Sequence, residues 1–392
     1  MKEHRNEKSY SRQTFFTEDT SEQEPSVANI LKKLSQSPWQ ERPFNVQSWG
    51  NWLHRMAPYA GRMTPAFAHW LIRLCSNEKD IVLDPFCGIG TVPLEANFLG
   101  RSSIGFDLNP YAFIVAKGKM DRKPINEQID WLESVHLATN EVDIDRIPEW
   151  VKEFYNKDTL KEILALMAVL EKEKRYFLLG CLLGIAQGHR VGHLSKHSAL
   201  TLPFKPRPDD PGEYRVVIPR LIAKVKRMYK NGIPFEPVGR IELADAREMP
   251  LENDSVDVII SSPPYFDTVD YVSANRLRLA LLGYYGDKAN QLKQILIQDY
   301  KSYLVEMEKA CKEMKRVLKP SKRCVLVLGD FHKKREPVNT AERIGEVFET
   351  LGMEVQGTVE DAIPANKSVQ RTPKPSSTSS VQRLDRIIII KK

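Results

Sequence analysis

Asp80–Thr91 reads D-I-V-L-D-P-F-C-G-I-G-T, an apolar run that ends at an acid and passes into a glycine-rich turn. The run Ile81–Leu83 is typical of a buried strand, and the residues that follow, Val92–Leu99, predict a helix. Gly88 and Gly90 let the backbone approach a ligand closely, and the helix behind them presents unpaired N–H groups. The stretch therefore predicts a strand–turn–helix unit of an α/β fold, with a ligand at the turn.

The acid at the end of this strand restricts the choice of ligand. A nicotinamide-binding turn would have a third glycine where this chain has Pro93, and Asp84 disfavours a pyrophosphate. A carboxylate suits instead the cationic sulfonium and amino groups of S-adenosylmethionine. A second predicted strand, Arg101–Asp107, ends at an acid 23 residues after Asp84, where a carboxylate commonly accepts hydrogen bonds from ribose hydroxyls. We therefore expect S-adenosylmethionine as the cofactor.

A second polar motif follows another apolar run. Val256–Ile260 is rich in β-branched residues and predicts a buried parallel strand, which stops at Ser261-Ser262-Pro263-Pro264-Tyr265. Because proline has no N–H, the carbonyl groups before and between the two prolines stay free to accept from a ligand. Ser262 adds a hydroxyl acceptor, and Tyr265 adds a flat ring on which a base can stack. This set of groups suits an exocyclic NH2 group.

The two motifs together resemble those of the S-adenosylmethionine-dependent DNA amino-methyltransferases, which modify cytosine N4 or adenine N6. D-P-F-C-G-I-G-T at 84–91 is similar to their D-P-F-x-G-x-G-T cofactor motif, and S-P-P-Y at 262–265 is similar to their catalytic motif. Pro58–Pro65 resembles a further cofactor-binding segment of the family. Asp245 lies 17 residues before Ser262, at the place of a family acid that commonly contacts the cofactor's adenine. The resemblance runs from about Ser48 onwards, with a gap in the middle.

The resemblance implies a role for each residue that matches the family motifs. The expected cofactor-binding residues are Tyr59, Asp84, Pro85, Phe86, Gly88, Gly90, Thr91, Asp107 and Asp245. The expected catalytic residues are Ser262, Pro263, Pro264 and Tyr265. A duplex hides the amino group, so the target base is expected to flip out of the stack and lie against the tyrosine. Serine at the first position of the motif goes mostly with cytosine N4 in the family, so cytosine N4 is favoured, with adenine N6 as the alternative.

More distant functions remain open. The tRNA guanine-N2 enzymes share a similar fold and a D-P-P-Y motif, although no recognisable RNA-binding domain precedes the cofactor motif in this chain. An inactive DNA-binding regulator is disfavoured because both motifs are intact. Carbon-5 methylation of cytosine needs a nucleophile in a Pro-Cys context, which none of the five cysteines has.

Length and composition set the broad class. A chain of 392 residues exceeds one average domain, and a hydrophobic fraction of 42% supports a sizeable core. No run approaches transmembrane length, no secretion signal is evident, and cysteines without a C-x-x-C pattern suit a reducing cytoplasm. We expect a cytoplasmic, nucleoid-associated enzyme that acts on double-stranded DNA. A cognate restriction endonuclease that acts on the same site is an expected functional partner.

The net charge of +7 is unevenly distributed. Six basic residues and no acid lie between Arg215 and Lys230, and Pro364–Lys392 carries seven basic residues and one acid. Such runs are often solvated faces, but in a DNA enzyme they become candidate phosphate contacts. The predicted DNA contacts are Arg220, Lys224, Arg227, Lys367, Arg371 and Lys374.

Three histidines with a spacing of four, His189, His193 and His197, resemble one face of a helix. Gly188 and Gly192 weaken that helix, and no carboxylate or cysteine accompanies the imidazoles. Methyl transfer to an amine also needs no metal, so a metal site is not expected here.

The chain divides into four predicted segments. Residues 1–42 form a polar tail with one helix near Val27–Leu34, and 43–118 form the cofactor-binding half of the main domain. Residues 119–235 are a mostly helical insertion expected to recognise the target, and 236–392 form the catalytic half. The predicted fold is a Rossmann-like α/β methyltransferase sheet with helices on both faces, interrupted by this insertion. The cofactor half comes first, unlike one common arrangement of the family, but the spatial sheet is unaffected.

Overall fold

The computed structural model describes residues 26–36, 41–121, 123–188, 190–196, 212–232, 236–265, 270–297, 302–333, 336–363 and 383–392. Three of the predicted DNA contacts, Lys367, Arg371 and Lys374, lie outside the described residues. His189 and His197 also lie outside them.

Strands occur in two parts of the described chain, 81–107 and 239–391, and the described residues between these parts form helices and no strand. The strands are β1 (Ile81–Asp84), β2 (Ser102–Asp107), β3 (Gly239–Leu243), β4 (Val256–Ser261), β5 (Leu318–Gly329), β6 (Phe331–Lys333), β7 (Glu336–Val338), β8 (Glu354–Ile363) and β9 (Arg383–Lys391). Seven of them form one sheet in the order β3-β2-β1-β4-β5-β9-β8, and β6 and β7 pair separately.

The direction of the strands defines where a ligand can bind. β3, β2, β1, β4 and β5 pair in parallel, and β9 runs antiparallel to both of its neighbours, β5 and β8. The chain builds β2 and β3 on one side of β1 and then returns to place β4 on the other side. This reversal of strand order opens a crevice at the carboxyl ends of β1 and β4, where open α/β sheets bind their ligands.

The helices of the described chain cover the sheet and build the insertion. They are α1 (Val27–Ser35), α2 (Pro65–Cys75), α3 (Thr91–Phe98), α4 (Pro110–Met120), α5 (Ile125–Ser134), α6 (Glu149–Lys152), α7 (Lys157–Lys172), α8 (Tyr176–Ala186), α9 (Val217–Met228), α10 (Tyr271–Ala274), α11 (Arg276–Leu281), α12 (Asp287–Ile295), α13 (Tyr303–Val317) and α14 (Thr340–Thr350). None of the described helices is long and apolar enough to cross a membrane.

Helices pack on both faces of the sheet, as predicted. Along β5, Cys324 and Leu326 face a core formed with α13 and α14, whereas Val325 and Val327 face a core formed with α1 and α2. The same alternation holds along β9, where consecutive isoleucines point to opposite faces. Alternate side chains of a strand point to opposite sides, so a strand buried on both faces needs an apolar residue at every position. This explains the unbroken runs of apolar residues in β5 and β9.

The helical insertion shares its core with the cofactor half. Side chains of α7, α8 and α9 pack in one cluster with Leu53 and Met56, which precede α2, and with Tyr111 and Val115 of α4. The contact is close, because a Cβ at Gly184 of α8 would collide with the carbonyl oxygen of Met56. The insertion is therefore packed directly against the segment that leads into the cofactor site.

Several predicted elements agree with the structure to within a few residues. The predicted strand Val256–Ile260 is β4, which extends one residue further, and the helix predicted near Val27–Leu34 is α1. β3 ends at Leu243, so Asp245 lies in the turn that follows this strand. The hairpin β6–β7 was not anticipated, because strands of three residues are too short to show a periodic pattern.

Candidate active site

A cavity of about 860 Å³, including its open mouth, lies at the crevice between β1 and β4. Ten of the residues predicted from the two motifs line it: Tyr59, Asp84, Pro85, Phe86, Gly88, Thr91, Asp107, Asp245, Ser262 and Pro264. The two motifs are about 170 residues apart in the sequence, and the fold brings them to one site. The parallel pairing of β1 with β4 causes this, since it aligns the carboxyl ends of both strands.

Asp84 lies at the end of β1 and is 3% exposed. Its Oδ1 accepts a hydrogen bond of 2.6 Å from the hydroxyl of Ser261 and one of 3.2 Å from the backbone N–H of Phe86. Burial raises the pKa of this carboxyl to about 7, although both hydrogen bonds oppose the rise. The carboxyl is thus partly protonated near neutral pH, and a cation in the cavity would favour its ionised form.

Asp107 lies at the end of β2 and holds the glycine turn in place. Its Oδ2 accepts from the backbone N–H of Gly88 at 2.8 Å, and its Oδ1 accepts from that of Asn109 at 2.8 Å. Burial raises the pKa of this carboxyl to about 6. Each carboxylate oxygen has a second lone pair, so Asp107 can also accept from hydroxyl groups of a ligand.

Gly90, unlike the other predicted turn residues, does not line the cavity and instead packs against α4. It has a φ of +73° at the start of α3, a conformation in which a side chain is strained. A Cβ here would lie 2.9 Å from the Cβ of Ala116 in α4. Gly90 therefore allows α3 and α4 to pack closely and does not itself line the cavity.

Two tyrosines form an aromatic wall of the cavity. The ring of Tyr59 stacks on that of Tyr271, with 5.7 Å between centroids and an interplanar angle of 24°. Tyr59 was expected at the cofactor, but Tyr271 was not, because only tertiary packing brings α10 over the site. Burial raises the pKa of both phenols, so both stay neutral at physiological pH.

Arg62 also lines the cavity and was missed from the expected site residues, although it lies in the matching segment Pro58–Pro65. It is the one Lys or Arg among the described lining residues. Its Nη1 donates to the carbonyl oxygen of His54 at 2.5 Å. Burial lowers its pKa to about 10, which leaves the guanidinium charged at neutral pH. Arg62 is therefore a charged residue of the cavity wall whose guanidinium is held at the carbonyl of His54.

Asp245 lines the cavity, but an arginine also engages its carboxylate. Arg247 Nε lies 2.9 Å from Asp245 Oδ1, and Arg247 Nη2 lies 2.6 Å from Asp245 Oδ2. Arg247 also pairs with Glu306 of α13. A role for Asp245 at the adenine of a cofactor stays a prediction. In that role Asp245 would contact the adenine while its carboxylate is also paired with Arg247. Leu296 and Ile297, which no motif indicated, complete this side of the cavity.

The S-P-P-Y residues divide between the cavity and the sheet edge. Ser262 and Pro264 line the cavity, whereas Pro263 is buried. Tyr265 is absent from the described lining: its ring lies over Gly329 at the end of β5, where a Cβ would come within 3.0 Å of Tyr265 Cδ2. The Ser262 hydroxyl donates to the Tyr265 hydroxyl at 3.3 Å. Burial, followed by the charge of Asp385, raises the pKa of the phenol well above its usual value.

The three predicted DNA contacts that the structure describes lie on α9, in different environments. Arg227 is exposed, and Arg220 is half-buried with Nη1 donating to the carbonyl oxygen of Val216 at 3.0 Å. Lys224 is only 6% exposed, and its Nζ donates to the carbonyl oxygen of Arg55 at 2.7 Å. The expectation that Lys224 reaches a phosphate is therefore corrected, because helical spacing turns this residue toward the core.

Of the three histidines with a spacing of four, the structure describes His193, and this residue does not lie in a helix. α8 ends at Ala186, and the described residues 190–196, which include His193, form turns and bends. Among the residues described, no group of three or more potential ligands could hold a metal ion.

Comparison with known proteins adds independent information. A family model described as DNA methylase matches residues 2–117. The type II methyltransferase M.MjaII of Methanocaldococcus jannaschii is 28% identical over 169 residues, which cover 39% of this chain and 30% of that protein. The type II methyltransferase M.MvaI of Kocuria varians is 25% identical over 379 residues, which cover 75% of this chain and 80% of that protein.

The name of a third relative describes an enzyme that acts on tRNA. The tRNA (guanine(10)-N2)-dimethyltransferase of Methanocaldococcus jannaschii is 32% identical over 111 residues, 28% of this chain and 28% of that protein. The matched segments thus span less than a third of M.MjaII and of the tRNA enzyme. The family model over residues 2–117 and the similarity to M.MvaI over 75% of the chain both indicate that the chain resembles the S-adenosylmethionine-dependent DNA amino-methyltransferases.

Proposed function

We propose that this protein transfers a methyl group from S-adenosylmethionine to the exocyclic amine of a base in duplex DNA, and that the base is cytosine. The observation that best supports this is the single cavity lined by both motifs. Asp84 and Asp107 line it together with Ser262 and Pro264. A methyl donor held by the acids would lie beside acceptors suited to an amino group.

The charges of the cavity suit the cofactor that the family resemblance implies. S-adenosylmethionine carries a sulfonium, an ammonium and a carboxylate. The buried carboxyls of Asp84 and Asp107 offer partners for the cations and for ribose hydroxyls. Arg62 offers a partner for the carboxylate, since within the described part of the chain its guanidinium donates only to a backbone carbonyl. Tyr59 offers an aromatic face next to the glycine turn.

The transfer itself requires the lone pair of the amine, which is delocalised into the ring of the base. Hydrogen bonds from the NH2 group to the Ser262 hydroxyl and the Pro263 carbonyl would draw the nitrogen toward tetrahedral geometry and localise that pair. The nitrogen then attacks the methyl carbon, the carbon–sulfur bond breaks, and the sulfonium becomes a neutral thioether. One amino proton leaves to solvent. Positioning and fixed dipoles therefore carry most of the catalysis.

Tyr265 is proposed to stack on the flipped base, and the structure sets a condition for this. Its ring lies on Gly329, outside the cavity wall. The ring must therefore leave Gly329, or the base must enter on the Gly329 side of Ser262. Either way the hydrogen bond between the two hydroxyl groups is exchanged for contacts with the base.

The wider setting of this function follows from its substrate. Arg220 and Arg227 of α9 are proposed phosphate contacts, together with Lys367, Arg371 and Lys374. An enzyme of this kind would work at the nucleoid. Its functional partner would be a restriction endonuclease that acts on the same site. Methyl transfer to RNA is the second candidate, favoured by the similarity to a tRNA dimethyltransferase.

The decisive experiment identifies the methylated nucleoside. The chain is expressed in a host without DNA methylation, the DNA and RNA are digested, and the nucleosides are measured by mass spectrometry. We expect N4-methylcytosine in DNA from cells with the wild-type chain, and about 100-fold less with Ser262→Ala, the scale for loss of one transition-state hydrogen bond.

Each other outcome bears on a different part of the proposal. N6-methyladenine would replace the proposed base and leave the mechanism in place, whereas methylated RNA alone would contradict the DNA substrate. The affinity of Ser262→Ala for the cofactor, measured by calorimetry, should match that of the wild type. A loss of that affinity would assign Ser262 to cofactor binding instead.

A further inference from the structure

Helix α9 presents two different faces. Lys226 and Arg227 are exposed on its outer face, whereas Lys224 is 6% exposed and lies among the core residues Leu221 and Val225. The Nζ of Lys224 donates to the carbonyl oxygen of Arg55 at 2.7 Å. This carbonyl lies at the end of the short helical turn Trp52–Arg55, where carbonyl groups have no partner within the turn.

The neighbouring carbonyl of the same turn is bound by a residue of the cavity. His54 accepts from the guanidinium of Arg62, which lines the candidate active site. Two adjacent carbonyl groups are thus held by two cations, one by Lys224 of the insertion and one by Arg62 of the cavity wall. The turn is a direct connection between the two cations.

The chain between these contacts has little freedom to move independently. Gly184 of α8 packs against the carbonyl of Met56, with no room for a Cβ. The hydroxyl of Tyr111 in α4 donates to the carbonyl oxygen of Pro58 at 2.6 Å. Displacement of the turn is therefore expected to pass to Arg62 rather than be absorbed between them.

We infer that Lys224 is a positioning residue of the cofactor site, which holds the Trp52–Arg55 turn so that Arg62 points at the carboxylate of S-adenosylmethionine. This inference rests on the proposed function. Removing the ammonium takes this donor from the Arg55 carbonyl in a part-buried contact, which favours a shift of the turn. Burial lowers the pKa of Lys224 to about 8, and Cys181, Arg227, Arg55 and Arg62 are the titratable groups that act on it.

The test compares two ligands that differ only in the carboxylate, S-adenosylmethionine and its decarboxylated form. Calorimetry on the full-length chain gives the ratio of their affinities for each variant. Lys224→Met should lower the preference for the carboxylated ligand by about threefold or more, as expected for a contact that acts through packed elements. Arg62→Met should lower it by about tenfold or more, as expected for loss of a charged hydrogen bond.

Controls separate this role from folding and from DNA contact. Arg227→Met changes the outer face of the same helix and should leave the ratio unchanged. Lys224→Gln keeps an N–H donor and should give an intermediate ratio of affinities. This variant also provides the test if the methionine variant fails to fold. A general structural defect would weaken both ligands equally and leave the ratio as in the wild type.

The outcomes are distinguishable. An unchanged ratio in both Lys224 variants, or no preference in the wild type, would overturn the inference while the proposed function stands. Failure of the wild type to bind S-adenosylmethionine at all would contradict the proposed function and the inference with it.

Discussion

Two buried carboxyl groups dominate the chemistry of the cavity at the scale of single residues. Burial raises the pKa of Asp84 to about 7 and that of Asp107 to about 6, each from an ordinary value of 3.8. Each group therefore holds a proton in the folded protein over a pH range where it would be ionised in the unfolded chain. The contribution of these two groups to the stability of the free protein should consequently fall as pH rises from about 4 toward 7. A bound cation reverses the preference, because it favours the ionised carboxylates.

Cofactor binding should therefore release protons. We expect the affinity for S-adenosylmethionine to rise from pH 5 to pH 8, since the free protein is partly protonated at the lower end. Calorimetry at pH 6.5 in two buffers of different ionisation enthalpy measures the protons released.

The Ser261 hydroxyl provides the matched test, because its 2.6 Å hydrogen bond lowers the pKa of Asp84. Ser261→Ala should move the pH profile of the affinity to higher pH. Ser255 is the control, because its hydroxyl donates to the backbone carbonyl of Glu252, and Ser255→Ala should leave the profile in place. Affinity that is constant between pH 5 and pH 8, with no proton release, would contradict the assignment of both carboxyls.

At the scale of elements, α9 combines a core-facing and a solvent-facing surface in twelve residues. Val217, Leu221, Val225 and Met228 face the insertion core, and the basic residues Lys226 and Arg227 project outward. A basic outer face carried on a rigid helix is well suited to the DNA backbone, whose contacts depend on charge rather than sequence.

Neutralising the outer face should change the salt dependence of DNA binding. Arg227→Ala should reduce the slope of log affinity against log salt concentration by about 0.9, the value for one phosphate contact. Fluorescence anisotropy with a labelled duplex at several salt concentrations measures this slope. Lys312→Ala removes the same charge from α13, where Lys312 is exposed beside Glu308, and should leave the slope unchanged. Equal effects of the two substitutions would place the DNA away from α9.

At the scale of the whole molecule, the insertion and the cofactor half unfold as one unit if their shared core governs cooperativity. Leu53, Met56 and Val115 belong to the same cluster as α7 and α8. Segments of a protein that share a continuous core tend to open together, so their amide protons exchange with solvent at similar rates.

Ligand binding tests this cooperativity. Cofactor at 100 times its dissociation constant should add about 2.7 kcal/mol to the free energy of unfolding. Hydrogen exchange monitored by mass spectrometry should then show increased protection in α8 as well as in α3. Protection confined to α3 would show that the insertion opens independently, despite the shared cluster.

The sequence by itself determined the strands β1, β2 and β4, the glycine turn and ten of the residues that line the cavity. Asp84, Gly88 and Ser262 were predictable because a strand followed by a turn has a local signature, and parallel strands present their carboxyl ends at one edge. The pattern of apolar residues likewise predicted buried parallel strands, and the family resemblance implied a sheet with helices on both faces. These features depend on interactions between residues close together in the chain.

Only the tertiary structure decided which side chains outside the two motifs line the cavity. Tyr271 and Leu296 have no motif, and they reach the site because α10 and α12 pack across it. Lys224 reads as one of several surface cations, yet the rotation of α9 against the core turns it to the Arg55 carbonyl. Charge in a sequence reports what a residue can bind, whereas packing of the whole chain determines what it reaches.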